Sequence, residues 1–386
     1  MYLPRQLAGI INKSKKSFLL LGPRQTGKST LIRTELKPDL IINLANENTY
    51  LEFAQSPSEL EQRLKAHMYQ KVLIDEVQRL PSLLNTIQSL IDDAKGHSPQ
   101  FLLTGSSARK LRRGNANLLP GRIHTYQLGA LTPHELNFEM HTKQALQTGT
   151  LPGIYTDDDE KSRTKTLRSY SGTYLKEEIQ AESLTRNLEG FARFLLVVAS
   201  ASGDFLDLSK LSSEAQIQRQ SGLRFLEILE DTLIVHRCDA FAKSDRKRLV
   251  QHPRFFFFDN GVLNGLLKNF TLSPDRIGKL FENLLHSQIL QSSFNADCDI
   301  RLSSYRTEHG AEVDFIVEKD GELWAIEAKA SGNVGKTDLR GLNNFADYYG
   351  KPCHRVVAYM GTHKKVIDDI QILPWQEAVR EIFDLS

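Results

Sequence analysis

The sequence predicts an α/β protein in three parts: a parallel-sheet domain, a helical segment closed by two strands, and a second α/β domain. Three observations predict it. First, apolar runs at Phe18–Leu21, Asp39–Leu44, Lys71–Ile74, Gln100–Leu103 and Arg122–Leu128 alternate with amphipathic stretches such as Pro57–Met68 and Ser82–Ile91. Alternating strands and helices build a parallel sheet covered on both faces. Second, residues 205–258 read as helix, helix, strand, strand. Third, residues 276–359 read as helix, three strands, helix, strand. The expected boundaries are 1–140, 141–265 and 270–386.

At 386 residues the chain is long enough for several cores, and 40% hydrophobic with 25% charged residues describes an ordinary globular protein. A net charge of +2 is too small to argue for any partner, so nucleic-acid contact has to be argued from local patches. Cys238, Cys298 and Cys353 are odd in number and far apart, which reads as reduced thiols rather than a disulfide frame or a zinc site. The start, Met1-Tyr2-Leu3-Pro4-Arg5, lacks a signal pattern, and the apolar stretch Phe194–Ala201 is too short to span a bilayer. A cytoplasmic protein without membrane contact is expected.

Within the first part, Gly22-Pro23-Arg24-Gln25-Thr26-Gly27-Lys28-Ser29 fits G-x-x-x-x-G-K-[ST], between an apolar strand and Thr30-Leu31-Ile32-Arg33, which can open a helix. In that setting successive backbone N–H groups and the helix N-terminus face phosphates. Gly22 to Thr30 are the candidate nucleotide contacts. Lys28 is placed to neutralise the β- and γ-phosphates, and the Ser29 hydroxyl to hold Mg²⁺. The chemistry implied is ATP binding.

Val72-Leu73-Ile74-Asp75-Glu76 is an apolar strand ending in two acids. Asp75 falls near the Mg²⁺, and Glu76 near the γ-phosphate, where it can deprotonate the attacking water. The next strand ends in Thr104-Gly105-Ser106-Ser107, so Ser106, or Thr104, can contact the γ-phosphate or the water. After the basic run Arg109-Lys110-Leu111-Arg112-Arg113 comes Gly121-Arg122 at a strand start. Arg122 is the first candidate for a transition-state arginine, acting in its own or a neighbouring subunit.

Residues 1 to about 140 resemble the AAA-type (ASCE) P-loop ATPases found in many bacteria and archaea. The carrying stretches are Gly22–Ser29, Leu73–Glu76, Leu103–Ser107, Asn117–Arg122 and Leu131-Thr132-Pro133-His134-Glu135-Leu136. That family pairs the ATPase with a C-terminal domain long labelled as of unknown function, and the resemblance covers essentially the whole chain.

The middle part opens with helices at Leu167–Ile179 and Asn187–Ser200, the second ended by Ser202-Gly203. A short helix from Leu208, a longer one at Gly222–Glu230, the strands Leu233–His236 and Arg254–Phe258, and the loop Lys243-Ser244-Asp245-Arg246-Lys247-Arg248 have the layout of a winged helix. Gln218, Arg219, Gln220 and Arg224 can enter a major groove while the loop touches phosphate. Such modules also serve as protein–protein contacts, in an oligomer or between domains.

In the last part, Glu312-Val313-Asp314 precedes Glu327-Ala328-Lys329 across a hairpin with Asp320-Gly321 at its tip, a favoured two-residue turn. If Lys319 pairs with Glu322, Asp314 falls opposite Glu327, and Glu327 and Lys329 share a face. Opposed carboxylates repel, and a divalent metal resolves the repulsion while leaving water sites for a phosphate and a nucleophile. Asp314 and Glu327 are the candidate ligands, and Lys329 can orient or deprotonate the water. The element order resembles the PD-(D/E)xK nucleases, with Glu282 in Phe281-Glu282-Asn283 at the position of their additional acid and Glu-Val-Asp in place of Pro-Asp. The resemblances imply an ATP-regulated, Mg²⁺-dependent nuclease acting on DNA, with RNA as the second choice of substrate. The alternative is a nucleotide-switched regulator that binds DNA or a protein through an inactive nuclease fold.

Overall fold

The computed structural model describes residues 2–93, 98–106, 119–174, 187–242 and 252–385. Ser107, the basic run Arg109–Arg113, Asn117, Leu118 and the loop Lys243–Arg248 lie outside them, as does the end of the helix expected at Leu167–Ile179.

A five-stranded sheet comes first: β1 (Phe18–Leu21), β2 (Leu40–Asn43), β3 (Lys71–Asp75), β4 (Gln100–Gly105) and β5 (His124–Gln127). Its order is β2-β3-β4-β1-β5 with every neighbouring pair parallel. All four residues of β1 are buried, because both faces are covered. Leu19 and Leu21 pack with Ile42, Ile74, Leu84 and Ile87 on one face. Phe18 and Leu20 pack with Leu7, Ile11, Leu31 and Tyr126 on the other, the period-two alternation of a strand. β4 lies between β1 and β3, so its carboxyl end emerges between the phosphate loop and the acidic pair.

In the middle part a helix at Glu160–Ser169 passes into a wider π turn at Tyr170–Tyr174. The helix Leu188–Ser200 starts where the Asn187 side chain accepts from Gly190 N, a helix cap. Helices Leu208–Glu214 and Arg219–Asp231 follow, then β6 (Val235–Ala240) and β7 (Arg254–Phe257), paired antiparallel. Phe205 bridges Arg254 on the far side of β7.

The remaining strands are β8 (Arg301–Arg306), β9 (Glu312–Lys319), β10 (Glu322–Lys329), β11 (His354–Tyr359), β12 (Lys365–Ile367) and β13 (Ile370–Pro374). They join β6 and β7 in one eight-stranded sheet of order β12-β13-β11-β10-β9-β8-β6-β7. The link is short: Asp239 and Ala240 of β6 run parallel to Ser303 and Ser304 of β8. The span expected as a separate unit, 141–265, is thus continuous with residues 270–386 through this sheet.

The helix Pro274–Ala296 covers one face with Leu280, Phe281, Leu284, Leu285 and Ile289 against Phe315, Val317 and Ile326. The helix Arg340–Tyr349 covers the other with Leu342 and Phe345 against Val313, Ile316 and Val357. Glu322 pairs with Lys319, as the turn register requires, and the ladder runs to Ile326 opposite Phe315. Against β8, β9 carries an irregularity: Ser303 faces Ile316, but Tyr305 faces Val313. Three steps on β9 match two on β8, so an extra residue is accommodated at Asp314 or Phe315. Bulges of this kind re-aim side chains.

Gly341 permits the second helix to lie close to β9. A Cβ there would sit 1.9 Å from the Glu312 carbonyl oxygen. Gly→Ala inside a helix ordinarily gains about 1 kcal/mol, but here overpacking of about 1–3 kcal/mol wins. Gly341→Ala is expected to lower the thermal midpoint; a raised midpoint would contradict this close approach.

Candidate functional site

The phosphate loop runs from the buried end of β1 into the helix Lys28–Leu31. Gln25 and Gly27 have left-handed backbone, φ 63° and 90°, and a Cβ on Gly22 would lie 2.2 Å from Leu128 O. The tight turn and close approach explain both motif glycines. Lys28 is buried and its Nζ donates to Gly22 O at 2.7 Å and Pro23 O at 2.8 Å. The Thr26 hydroxyl donates to Pro23 O at 2.9 Å. Beside the loop, Tyr2, Arg5, Gln25, Gly27, Thr30 and Pro152 are among the residues that line a cavity of about 360 Å³. That is the size of a small-molecule site.

The acidic pair meets the loop directly. Ser29 Oγ donates to Asp75 Oδ1 at 2.6 Å, and Thr104 Oγ1 donates to the same oxygen at 2.5 Å. Arg33 Nη2 lies 3.5 Å from Asp75 Oδ2. A hydroxyl and a carboxylate side by side are the donor set that Mg²⁺ takes from a protein when phosphates supply further oxygens, so these residues fit that ion. Glu76 has a left-handed backbone, φ 60°, and its N–H donates to Thr104 Oγ1 at 3.0 Å. Its carboxylate accepts from Gln78 Nε2, which also donates to Ser106 Oγ at 2.9 Å. Thr104 therefore touches Asp75, while Ser106 reaches Glu76 through Gln78. Sequence reasoning missed Gln78; its position two residues beyond Glu76 was the available signal.

Arg122 stands elsewhere. Its Nε and Nη2 bind Asp92 Oδ1 and Oδ2 at 2.6 and 2.8 Å. β5 runs parallel to β1 with His124 beside Phe18, so Arg122 lies at the strand starts, and the phosphate loop leaves their ends. Within one chain the two are not brought together.

The C-terminal acids gather around a cation that the sequence did not announce. Arg254, from β7, is 3% exposed. Its Nε donates to Gly203 O at 2.5 Å, Nη2 binds Glu282 Oε2, and Nη1 lies 3.7 Å from Asp314 Oδ1. Asn283 locks this arrangement: its side chain accepts from Phe257 N and donates to Phe257 O, at 2.8 and 3.1 Å. The clue to Arg254 was a charged residue at the head of the aromatic run Arg254–Phe258. Asp314 accepts from Ala328 N at 2.8 Å. This side-chain bond takes over where the β9–β10 ladder ends, one pair short of the expected Asp314–Glu327 match. Lys329 Nζ lies 3.3 Å from Glu327 and 3.4 Å from Asp338. Sequence reasoning missed Asp338, whose carboxylate also accepts from Gly335 N at 2.9 Å.

Burial pushes the Glu327 carboxyl up to about 9, with the Asp314 charge adding to it, and pushes Glu282 up to about 7. Asp314 is raised by burial against the pull of Arg254. Among the described residues no group of three or more His, Cys, Asp or Glu is gathered to hold a metal ion. Magnesium keeps several waters and needs only one or two carboxylates, so Asp314 and Glu327 still fit as the protein's share.

Residues 14–137 match the family described as an AAA domain. Residues 140–273 match a domain of unknown function (DUF8612), and residues 277–378 another (DUF4143). The uncharacterized proteins Rv2008c of Mycobacterium tuberculosis and Mb2031c of Mycobacterium bovis are each 25% identical over 314 residues, 81% of this chain and 69% of theirs. Among solved structures, the Walker-type ATPase PABY2304 of Pyrococcus abyssi is 15% identical with a TM-score of 0.44, over 68% of this chain and 93% of that one. Among the described residues no helix is long and apolar enough to cross a membrane.

Because the folded state holds the Glu327 proton above its ordinary value of 4.5, that contribution to stability is full below about pH 4.5 and is lost as pH rises toward about 9. Glu327→Gln, which keeps the neutral form, is expected to raise the thermal midpoint at pH 8 and to change it little at pH 5. Equal shifts at both values would remove the charge explanation.

Proposed function

We propose that this chain binds and hydrolyses ATP with Mg²⁺ at residues 22–30, 75 and 76, and uses the nucleotide to control a nuclease-type site at its C-terminal end. The observation that carries the first half is the meeting of Ser29, Thr104 and Asp75 on one carboxylate oxygen at the rim of the phosphate loop. The match of residues 14–137 to an AAA domain supports it. Lys28 swings from the loop carbonyls to the phosphates, and the loop N–H groups and the helix N-terminus hold the remaining charge. Ser29 and Asp75 would hold Mg²⁺, which would supply electrostatic stabilisation of the transferring phosphoryl group. Glu76 takes the proton of the attacking water, and Gln78 and Ser106 hold its carboxylate in place until then. Arg122 can serve a triphosphate only on a neighbouring copy, which makes a homo-oligomer part of the proposal.

The second half is supported by Asp314, Glu327 and Lys329 converging beside Glu282 on the order helix, three strands, helix, strand. Asp314 and Glu327 would hold a divalent ion, Lys329 would orient the water, and Glu282, paired with Arg254, is the proposed additional acid. DNA is the proposed substrate, with Gln218, Arg219, Gln220 and Arg224 at the start of the helix Arg219–Asp231 as candidate contacts. One observation favours a second reading. Arg254 already balances Glu282 and Asp314, as expected of a nucleotide-switched regulator in which the nuclease fold binds without cutting.

Lys28→Ala is expected to lose nucleotide binding. Glu76→Gln is expected to keep it while turnover falls about 10²–10⁴-fold, read by titration with a fluorescent ATP analogue and by phosphate release. Cleavage of single-stranded, duplex and branched DNA with Mg²⁺ or Mn²⁺, with and without ATP, separates the two readings. Cutting that vanishes in Lys329→Ala and changes in Lys28→Ala supports the nuclease; none on any substrate, with ATP turnover intact, supports the regulator.

A further inference from the structure

The Leu131–Leu136 stretch has no role in the chemistry above, yet one of its residues is wired to the phosphate loop. Arg5 and Glu135 form an ion pair at 2.8 Å with side chains 3% and 1% exposed. Every nitrogen of the guanidinium is engaged: Nε on Glu135, Nη1 on Thr26 O at 2.6 Å, and Nη2 on Gly129 O and Ala130 O at 2.9 and 3.1 Å. Glu135 is equally occupied, accepting from Gln6 N and Thr132 N, both at 3.0 Å.

We propose that Arg5 is a positioning residue for the nucleotide, with Glu135 as its counter-charge. The inference rests on the nucleotide-binding reading above. A peptide unit is planar and trans, so its C=O and N–H point in opposite directions. Holding Thr26 O from outside the loop therefore turns Gly27 N–H inward, where phosphate oxygens bind. Gly27, with its left-handed backbone at φ 90°, is the helix cap: its carbonyl accepts from Leu31 N at 2.8 Å, which fixes the peptide that follows it, and Arg5 fixes the peptide that precedes it. The rigid fork of an arginine can grip Thr26 and the 129–130 carbonyls together; a lysine cannot. Glu135 cancels the charge, so the guanidinium sets geometry without competing for the phosphates. Stability alone gives little reason for the pair, since well-packed apolar residues commonly replace buried ion pairs at no cost.

The test titrates the full chain, with Mg²⁺ present, with a fluorescent non-hydrolysable ATP analogue, and measures ATP turnover alongside. Arg5→Met is expected to weaken analogue binding at least tenfold and to raise KM for ATP by a similar factor, with a smaller change in kcat. Arg5→Lys is expected to fall between Arg5→Met and wild type, and added guanidinium to restore part of the binding of Arg5→Ala. Should Arg5→Met fail to fold, Arg5→Lys decides. Binding by a folded Arg5→Met or Arg5→Lys within twofold of wild type overturns the proposal. Failure of the wild type itself to bind the analogue sinks the nucleotide reading, and this inference with it.

Discussion

Three buried polar side chains of one helix, Asn283, Gln288 and Gln291, tie separate stretches of the molecule together. Pro274–Ala296 buries Asn283, His286, Ser287, Gln288, Gln291, Ser292, Ser293 and Asn295 along with its leucines. Buried polar groups require partners, and several of these find them in three separate stretches of chain. Gln288 donates to Leu131 O and to Thr150 Oγ1, both at 3.2 Å, and Gln291 donates to Phe258 O at 2.7 Å. Asn283 binds both polar groups of the Phe257 backbone. Gly129 leaves room for this, since a Cβ there would meet Gln291 Cγ at 2.5 Å. The exit of the first sheet, the end of β7 and the second sheet are therefore held by one rod, and Glu282 stands on the same rod as Gln288 and Gln291.

The domain that carries the Gly22–Ser29 loop was largely legible because its motifs are local in sequence. A loop of eight residues and a strand ending in two acids each carry their geometry with them. The alternation of apolar runs then places the strands, since a sheet covered on both faces needs buried strands separated by amphipathic helices. What could not be read was contact between distant segments. Arg5 and Glu135 are far apart in the chain, and nothing in either local pattern names the other. Arg122 is a different case. Its Gly-Arg step stands at a strand start, and in a parallel sheet that end lies opposite the loop, so here the expected strand direction already argued against the role within one chain.

At the other end, the hairpin register was legible because a two-residue turn fixes the pairing that follows. The departure at Asp314 was not, since it depends on the irregularity between β8 and β9. Nor could the sequence assign Arg254 to the acids. The residue arrives from β7, and its meeting with Glu282 depends on the long helix crossing that strand. Its removal alone would leave buried carboxylates unbalanced, a change that commonly costs about 3–5 kcal/mol. The cluster thus belongs jointly to the middle and C-terminal segments.

The shared eight-stranded sheet bears on how such a chain can be divided or recombined. Among the described residues, two parallel pairs, Asp239 with Ser303 and Ala240 with Ser304, and the bond from Phe241 N to Ser304 O carry the ladder across this joint. A piece beginning near residue 270 would keep β8 to β13 but present β8 as a bare edge, a template for pairing with any other strand. It would also lose Arg254 while keeping the acids that Arg254 balances. A cut that keeps the sheet whole would have to leave β6 and β7 attached to the C-terminal strands.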